Sequence, residues 1–331
     1  MLTLLRAATI AATMLAAPLV LAQDVRIGNV TVGDVQAAVC ERWAELITKH
    51  SGGKLKAAAH HGESLGNNAQ MIRSLQAGSV HGIDTPAGFL AAFVPEMGLF
   101  DLPFLLPGDP AKITAFTQSS KAAAEIIRLA GERGIHVLGF HGVGPQSFLT
   151  NFPVNKLADI QGKKFRVIPS PPRVGAYKDW GAVARPMELG EVYTALQQRT
   201  LDGMENPPDV IFKMKHHEVA KYYTITEHFG FVSAQFVSKK WFDALPKDQQ
   251  DAVVKAGAEA RQFADGEFVK AQSTSLDAMR KAITVTTMPA AEVEKMKELA
   301  FKGVWTQLAE DPKRGPIIKQ LREDVANFNK K

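Results

Sequence analysis

Apolar positions recur along this chain in two alternating rhythms. Short runs of strand-like composition, the first at Val25 to Val30, give way to stretches where apolar residues return every three or four positions, as in Val35, Val39, Trp43, Leu46 and Ile47. The spacing predicts a helix from about Asp34 to His50, a strand over Lys54 to His60, a helix over Asn68 to Ala77 closed by Gly78, and a strand over Val80 to Ile83 leading through Pro86 into another helix. One helix is expected over Ala111 to Arg133, then a strand over Ile135 to Phe140 that runs out into a glycine-rich link at Gly142 and Gly144. Phe165 to Ile168 and Asp202 to Glu205 read as strands, with helices over Pro172 to Trp180 and Gly190 to Gln198 between them. This alternation argues for an α/β fold with a mostly parallel sheet, restarted once after the glycine link.

Beyond Pro246 the pattern changes. Good helix formers continue without a proline to Ala282, with Val253, Ala256, Ala260, Phe263, Ala264 and Phe268 at helical spacing. A helix of ~35 residues extends ~50 Å, enough to lie across two small units and couple them. Gly257 and Gly266 inside it would permit a bend. Helices over Ala290 to Leu308 and Pro316 to Asn327 close the chain.

The first 22 residues follow neither rhythm. Arg6 is their only charge, an apolar stretch runs from Ala7 to Leu21, and Val20-Leu21-Ala22 supplies the small residues that a signal peptidase reads. Export is expected, with cleavage after Ala22. The stretch is shorter than the ~20 residues that span a bilayer, and no cysteine follows the cleavage point to carry a lipid. What remains suits two domains sharing a hinge, or one large α/β unit. The formal charge of +5 is spread through mixed-sign helices rather than in a basic block, which argues against nucleic-acid binding. Cys40 is the only cysteine, so no intrachain disulfide can form, and its place on the apolar stripe of the first helix predicts a buried thiol.

Catalytic signatures are missing. The chain has no Gly-x-Ser-x-Gly elbow, no His-Glu-x-x-His helix and no phosphate loop ending in Gly-Lys-Ser/Thr. Gly139, Gly142 and Gly144 have the wrong spacing for a dinucleotide fingerprint, and Pro145 intervenes. The pairs His60-His61 and His216-His217 are adjacent, so their imidazoles diverge on regular backbone and are expected to be solvated or supporting groups rather than metal ligands. Neither a metal nor a cofactor is expected.

The informative stretch runs from Asp159 to Asn206. It contains Gly162-Lys163-Lys164-Phe165-Arg166, Pro186-Met187, Glu191-Val192-Tyr193-Thr194-Ala195-Leu196-Gln197 and Asp202-Gly203-Met204-Glu205-Asn206-Pro207. In that order these blocks closely resemble the DctP-type solute-binding proteins of TRAP transporters. Leu65-Gly66, Leu102-Pro103-Phe104-Leu105, Glu218-Val219-Ala220-Lys221-Tyr222 and Trp241 before Leu245-Pro246 extend the likeness over essentially the whole exported chain. The resemblance implies a two-lobed, flytrap-like periplasmic binding protein of α/β class, with mixed, mostly parallel sheets and a long helix spanning both lobes. The expected division is residues 1–22 as signal peptide, 23–143 with 232–271 as one lobe, and 144–231 with 272–331 as the other.

The resemblance also implies a site. Arg166 would clamp the ligand carboxylate, for which a planar guanidinium with parallel donors is suited. Asn206, biased toward extended backbone by Pro207, would donate to and accept from the ligand. Glu191 and Tyr193 are expected to hold their helix in place. Family members that bind sialic-acid-type ligands carry another arginine where Gln146 stands, and an aromatic where Leu189 stands. Gln146 and Leu189 are therefore candidate ligand contacts of different chemistry, with Asn68 and Thr85 added from the entry loops of the first lobe. The expected function is periplasmic capture of a small organic acid anion by a monomer, followed by delivery to the membrane subunits of a TRAP permease without enzymatic turnover. Dicarboxylates, 2-oxo acids, sugar acids and aromatic acids all fit this pattern. Rival readings are a periplasmic sensing module, an ABC-type binding protein, and a secreted hydrolase or lyase.

Overall fold

Two parallel βα units are joined here through a shared pair of long strands. In the computed structural model, which describes residues 22–106 and 108–330, β1 (Gln23–Gly28) pairs in parallel with β2 (Leu55–His60) and β3 (Gly82–Pro86). The predicted leader up to Leu21, and with it the cleavage reading, lies outside the described residues. Helices α1 (Val35–His50) and α2 (Asn68–Ala77) make the crossovers. Asp34 caps α1 by accepting from the Ala37 N–H at 2.9 Å, and Asn67 and Gln70 cap α2 reciprocally before Gly78 ends it at φ 83°. Cys40 is fully buried on α1, and burial pushes its thiol well above the ordinary range.

After Pro86 the expected helix is replaced by two 3-10 segments, Ala87–Ala92 and Pro95–Asp101. The single helix read over Ala111 to Arg133 is two, α3 (Pro110–Ser119) and α4 (Lys121–Glu132). Ser120 divides them, because its backbone turns extended at ψ 126° and its hydroxyl caps α4 by accepting from the Ala123 N–H at 3.0 Å. The second unit consists of β5 (Lys164–Val167), β6 (Val183–Pro186) and β7 (Gly203–Asn206), parallel throughout and linked by α5 (Pro171–Asp179) and α6 (Val192–Gln197). Helix α7 (Pro208–Lys213) follows β7 directly.

The strand β4 (Ile135–Thr150) corrects the reading of Gly142 and Gly144 as a link that ends it, since the strand passes through both. It runs antiparallel to β8 (Tyr222–Ser238), a strand that the apolar pattern did not predict. The upper part of β8, Ser233 to Val237, pairs with β3, and the far end of β4, Ser147 to Thr150, pairs with β7. The two strands therefore carry the chain from one parallel half into the other, giving a nine-stranded sheet of order β2-β1-β3-β8-β4-β7-β5-β6, with β9 (Thr284–Thr287) added to the lower end of β8. Register shifts interrupt the crossing pair at Val137/Gly139, Gly142/Gly144 and Gln146/Phe148, and such bulges bend and twist a ribbon.

After α8 (Lys239–Ala244), the long helix α9 runs without interruption from Lys247 to Ala282, 36 residues. It packs on α1 and α3, then on β4, and finally on α7 and β9, so it touches both halves. Gly257 permits this approach, because a Cβ there would lie 2.9 Å from Leu138 Cδ1 and 3.0 Å from Gln235 Oε1, whereas one on Gly266 would meet nothing. Arg261 and Gln272 fasten the helix to the crossing strands, donating to Gln235 Oε1 at 2.7 Å and to the Val143 carbonyl at 3.0 Å. Helices α10 (Ala290–Ala300), α11 (Thr306–Ala309) and α12 (Gly315–Phe328) complete the chain. Among the described residues no helix is long and apolar enough to cross a membrane.

A Cβ on Gly142 would sit 2.2 Å from the Pro110 carbonyl oxygen and 2.7 Å from its Cα, where α3 abuts the crossing. Gly142→Ala should therefore lower stability by about 1–3 kcal/mol, read from the urea midpoint. An unchanged midpoint would mean that α3 yields freely.

Candidate functional site

Arg166 lies at the centre of β5, between Phe165 and Val167, and is 1 % exposed. Its Nε donates to the Met187 carbonyl at 2.9 Å, while Nη2 is buried without a partner. Burial pushes the guanidinium down to about 10, with Glu205 pulling it back up, so the group is cationic at neutral pH. It opens onto a narrow cavity of about 20 Å³, space for about one water. One wall consists of Arg166, Ile168, Leu189, Asn206 and Val210; the opposite one consists of Val30, Thr31, Gln36, Pro86 and Phe89, with Phe231 of β8 between them. The cavity thus lies at the seam of the two half-sheets, beside the crossing strands.

Of the six residues singled out from sequence, the structure brings Arg166, Asn206 and Leu189 onto this cavity. Asn206 ends β7, and its Nδ2 is buried and unpartnered. Gln146 stands behind it on β4 and donates to Asn206 Oδ1 at 3.3 Å, which orients the amide. Asn68 and Thr85 do not line the cavity. Thr85 donates to Asn68 Oδ1, and Asn68 Nδ2 donates to Glu188 Oε2 at 3.0 Å. Tyr193 reaches Glu218 from the exposed face of α6, and Glu191 is exposed.

Sequence reasoning passed over Gln36. It lies in the first turn of α1 on the same face as Cys40, Trp43 and Ile47, 3 % exposed, with Nε2 unpartnered. A polar residue on an otherwise apolar helix face was the available signal. Phe89 and Phe231, which also line the cavity, were not singled out from the sequence. A larger crevice of about 570 Å³ between α4 and α12 is lined by mixed charges, including the pair Arg133–Glu96 at 3.4 Å, and offers no comparable convergence of donors.

Several contacts tie the two halves together around this seam. Glu188 accepts from Asn68 and from the Ala69 N–H at 3.3 Å, at the N-terminus of α2, and Glu63 accepts from the Gly190 N–H at 3.2 Å. Asp209 accepts from the Val35 N–H at 3.1 Å, at the N-terminus of α1. Carboxylates are favoured at such termini by the free N–H groups and the helix dipole. Arg173 donates to Asp101 at 2.7 Å and to Glu205 at 3.0 Å, with Tyr177 also donating to Glu205. Burial works against the Arg173 charge, but the two carboxylates outweigh it and hold the guanidinium above its ordinary value. Among the described residues no group of three or more His, Cys, Asp or Glu side chains could hold a metal. His216 is buried, and burial pushes its imidazole down to about 3, so it stays neutral.

The chain that folds into these two α/β halves has clear counterparts. Residues 29–311 match the model of bacterial extracellular solute-binding protein family 7, DctP. The chain belongs to this family. Proteins similar to it include the ectoine/5-hydroxyectoine-binding periplasmic protein of Ruegeria pomeroyi, 28 % identical over 88 % of this chain and 87 % of that one. The 2,3-diketo-L-gulonate-binding periplasmic protein of Escherichia coli is 30 % identical over 79 % and 80 %. Among solved structures, a TRAP periplasmic solute-binding protein from Desulfovibrio salexigens with bound orotic acid superimposes with a TM-score of 0.87 at 30 % identity, covering 92 % of this chain and 99 % of that one. The family consists of solute-binding proteins of transporters and not of enzymes. Its members are extracellular or periplasmic.

Asp34 adds a pH dependence to the seam. It is 4 % exposed, accepts from Thr31 at 2.7 Å and from Ala37, and leaves Oδ2 unpartnered. Burial above all, with the neighbouring Asp209 charge, raises its carboxyl from 3.8 to about 6. The fold therefore favours the protonated form, and the cost of ionising it grows as pH rises from 3.8 to 6 and is complete above that. Asp34→Asn keeps the cap and should raise the melting temperature at pH 7.5, by the equivalent of about 3 kcal/mol at most, with the gain vanishing near pH 3.5. An equal difference at both pH values would refute the assignment.

Proposed function

We propose that this chain captures a small organic acid anion outside the cytoplasmic membrane, closes around it and presents it to the membrane subunits of a TRAP permease. The observation that carries this reading is the buried Arg166 guanidinium, whose unpartnered Nη2 meets the unpartnered Asn206 Nδ2 at one cavity. Two orphaned donors, one of them on a cation, ask for a carboxylate, and the pair gains strength once water is excluded. Relatives named for ectoine and 2,3-diketo-L-gulonate, and a solved neighbour with orotic acid, support the same class of ligand.

Closure in this reading is a hinge motion of residues 23–143 with 232–271 against residues 144–231 with 272–331, bending at the bulged crossing of β4 and β8 while α9 guides both. The 20 Å³ cavity is too small for an acid of several carbons, so entry requires the halves to part. Anion binding to Arg166 then favours the closed form, in which Glu188, Glu63 and Asp209 meet their N–H partners. The chain acts as a monomer and performs no chemistry on its ligand. Its N-terminal leader is removed after Ala22 on export.

A thermal-shift screen against organic acids tests this reading. A true ligand at about 100 times its dissociation constant adds ~2.7 kcal/mol of stability. That shift should disappear in Arg166→Ala and be reduced in Arg166→Lys, which keeps the charge but loses the planar fork. A best hit whose shift survives Arg166→Ala would remove the clamp from the mechanism.

A further inference from the structure

We propose, resting on the capture reading above, that the acid is a monocarboxylate with an apolar body and one further neutral acceptor oxygen, and that Gln36 reads this oxygen from the wall opposite Arg166. Arg166 is the sole charged side chain among the described residues lining the cavity. A second carboxylate would therefore lose its hydration without meeting a cation, a cost that apolar walls do not return. An ammonium group would likewise find no lining carboxylate. Glu205 is held by Arg173 and Tyr177, and Asp34, whose Oδ1 accepts from Thr31 and the Ala37 N–H while Oδ2 is left over, does not line the cavity.

The supply of acceptors argues against a sugar acid. A polyhydroxylated ligand brings several O–H donors that need acceptors on the walls. Asn206 Oδ1 is engaged by Gln146, whose own Oε1 is buried without a partner but belongs to a residue that does not line the cavity. Thr31 Oγ1 accepts from Asn29 at 2.8 Å and donates to Asp34. Much of the remaining surface is hydrocarbon, from Phe89, Ile168, Leu189, Val210 and Phe231. Buried hydroxyls without partners would lower affinity rather than raise it.

What the cavity offers in surplus is donors. Arg166 Nη2 and Asn206 Nδ2 from one wall suit the two oxygens of a single carboxylate, and Gln36 Nε2 from the other remains unpartnered. An amide N–H aimed at a neutral carbonyl-type oxygen satisfies that group and ties the wall carrying α1 to the ligand, so Gln36 becomes a specificity-determining contact made only on closure.

The test uses the purified exported chain, titrated calorimetrically and by thermal shift with four probes. 3-Methyl-2-oxobutanoate has the proposed features, 3-methylbutanoate lacks the oxo group, succinate adds a carboxylate, and galacturonate is a sugar acid. The first should bind at least tenfold more tightly than the others. Gln36→Leu should bring it down to the level of 3-methylbutanoate without altering the latter, and Gln36→Glu should weaken both, each variant melting like the wild type without ligand. Tighter binding of succinate or galacturonate that depends on Arg166 would overturn this inference and leave organic-acid capture standing. So would equal binding of the two methyl-branched acids, or a Gln36→Leu variant indistinguishable from wild type. No response to any of the four also overturns it, and if a wide panel of organic acids then gives no Arg166-dependent shift, the capture reading falls with it.

Discussion

Burying a guanidinium next to apolar walls while leaving one of its donors free is unfavourable, and much of this molecule is arranged around that fact. Arg166 is held by the Met187 carbonyl and steadied by the charge of Glu205, whose own carboxylate is occupied by Arg173 and Tyr177. The fixed partners stop short of satisfying Nη2. A missing hydrogen bond inside a low-dielectric seam is a standing free-energy penalty, and an anion that supplies it gains more there than it could on an open surface. The same logic applies to the Asn206 amide, which Gln146 orients but leaves one donor short.

Around this centre the contacts between the two halves have a common form. Carboxylates of Glu188 and Asp209 from the second half rest on the N-termini of α2 and α1 in the first. Each interaction is modest, on the order of 1 kcal/mol, which suits a closure that must reverse. Asp209 is itself buried, and Arg173 with Asp101 and Glu205 forms a buried ionic set, from which removing one member is far more costly than losing an exposed contact.

Much of this was legible in the sequence. The spacing of Val253, Ala256, Ala260 and Phe268 located α9 to within a residue, because a long helix with one apolar stripe leaves a strong periodic trace. Arg166 and Asn206 stood out through the order of the motif blocks in which they lie. Other features left weaker traces. Strand β8 is buried on both faces along most of its length and carries Thr226, His228, Ser233 and Gln235 among its buried positions, so neither alternation nor an unbroken apolar run marked it. Gly142 and Gly144 suggested an end to β4, whereas they allow close passage of α3 and Gln272 over a continuing strand. The split at Ser120 depends on one capping hydroxyl. Gln36 left one local trace, a polar residue on an apolar helix face, while what lies across the seam from it is contained in no local window.

The uninterrupted passage of β4, β8 and α9 between the halves bears on how the molecule comes apart. Neither half is a contiguous stretch of chain, and each loses its share of the crossing strands and of α9 if the other melts. Unfolding should therefore be a single cooperative event, in which energy gained at one small interior contact protects backbone amides tens of ångströms away. A bound nutrient would act as a keystone for the entire polypeptide, lowering the share of wholly unfolded chain that a protease can cut.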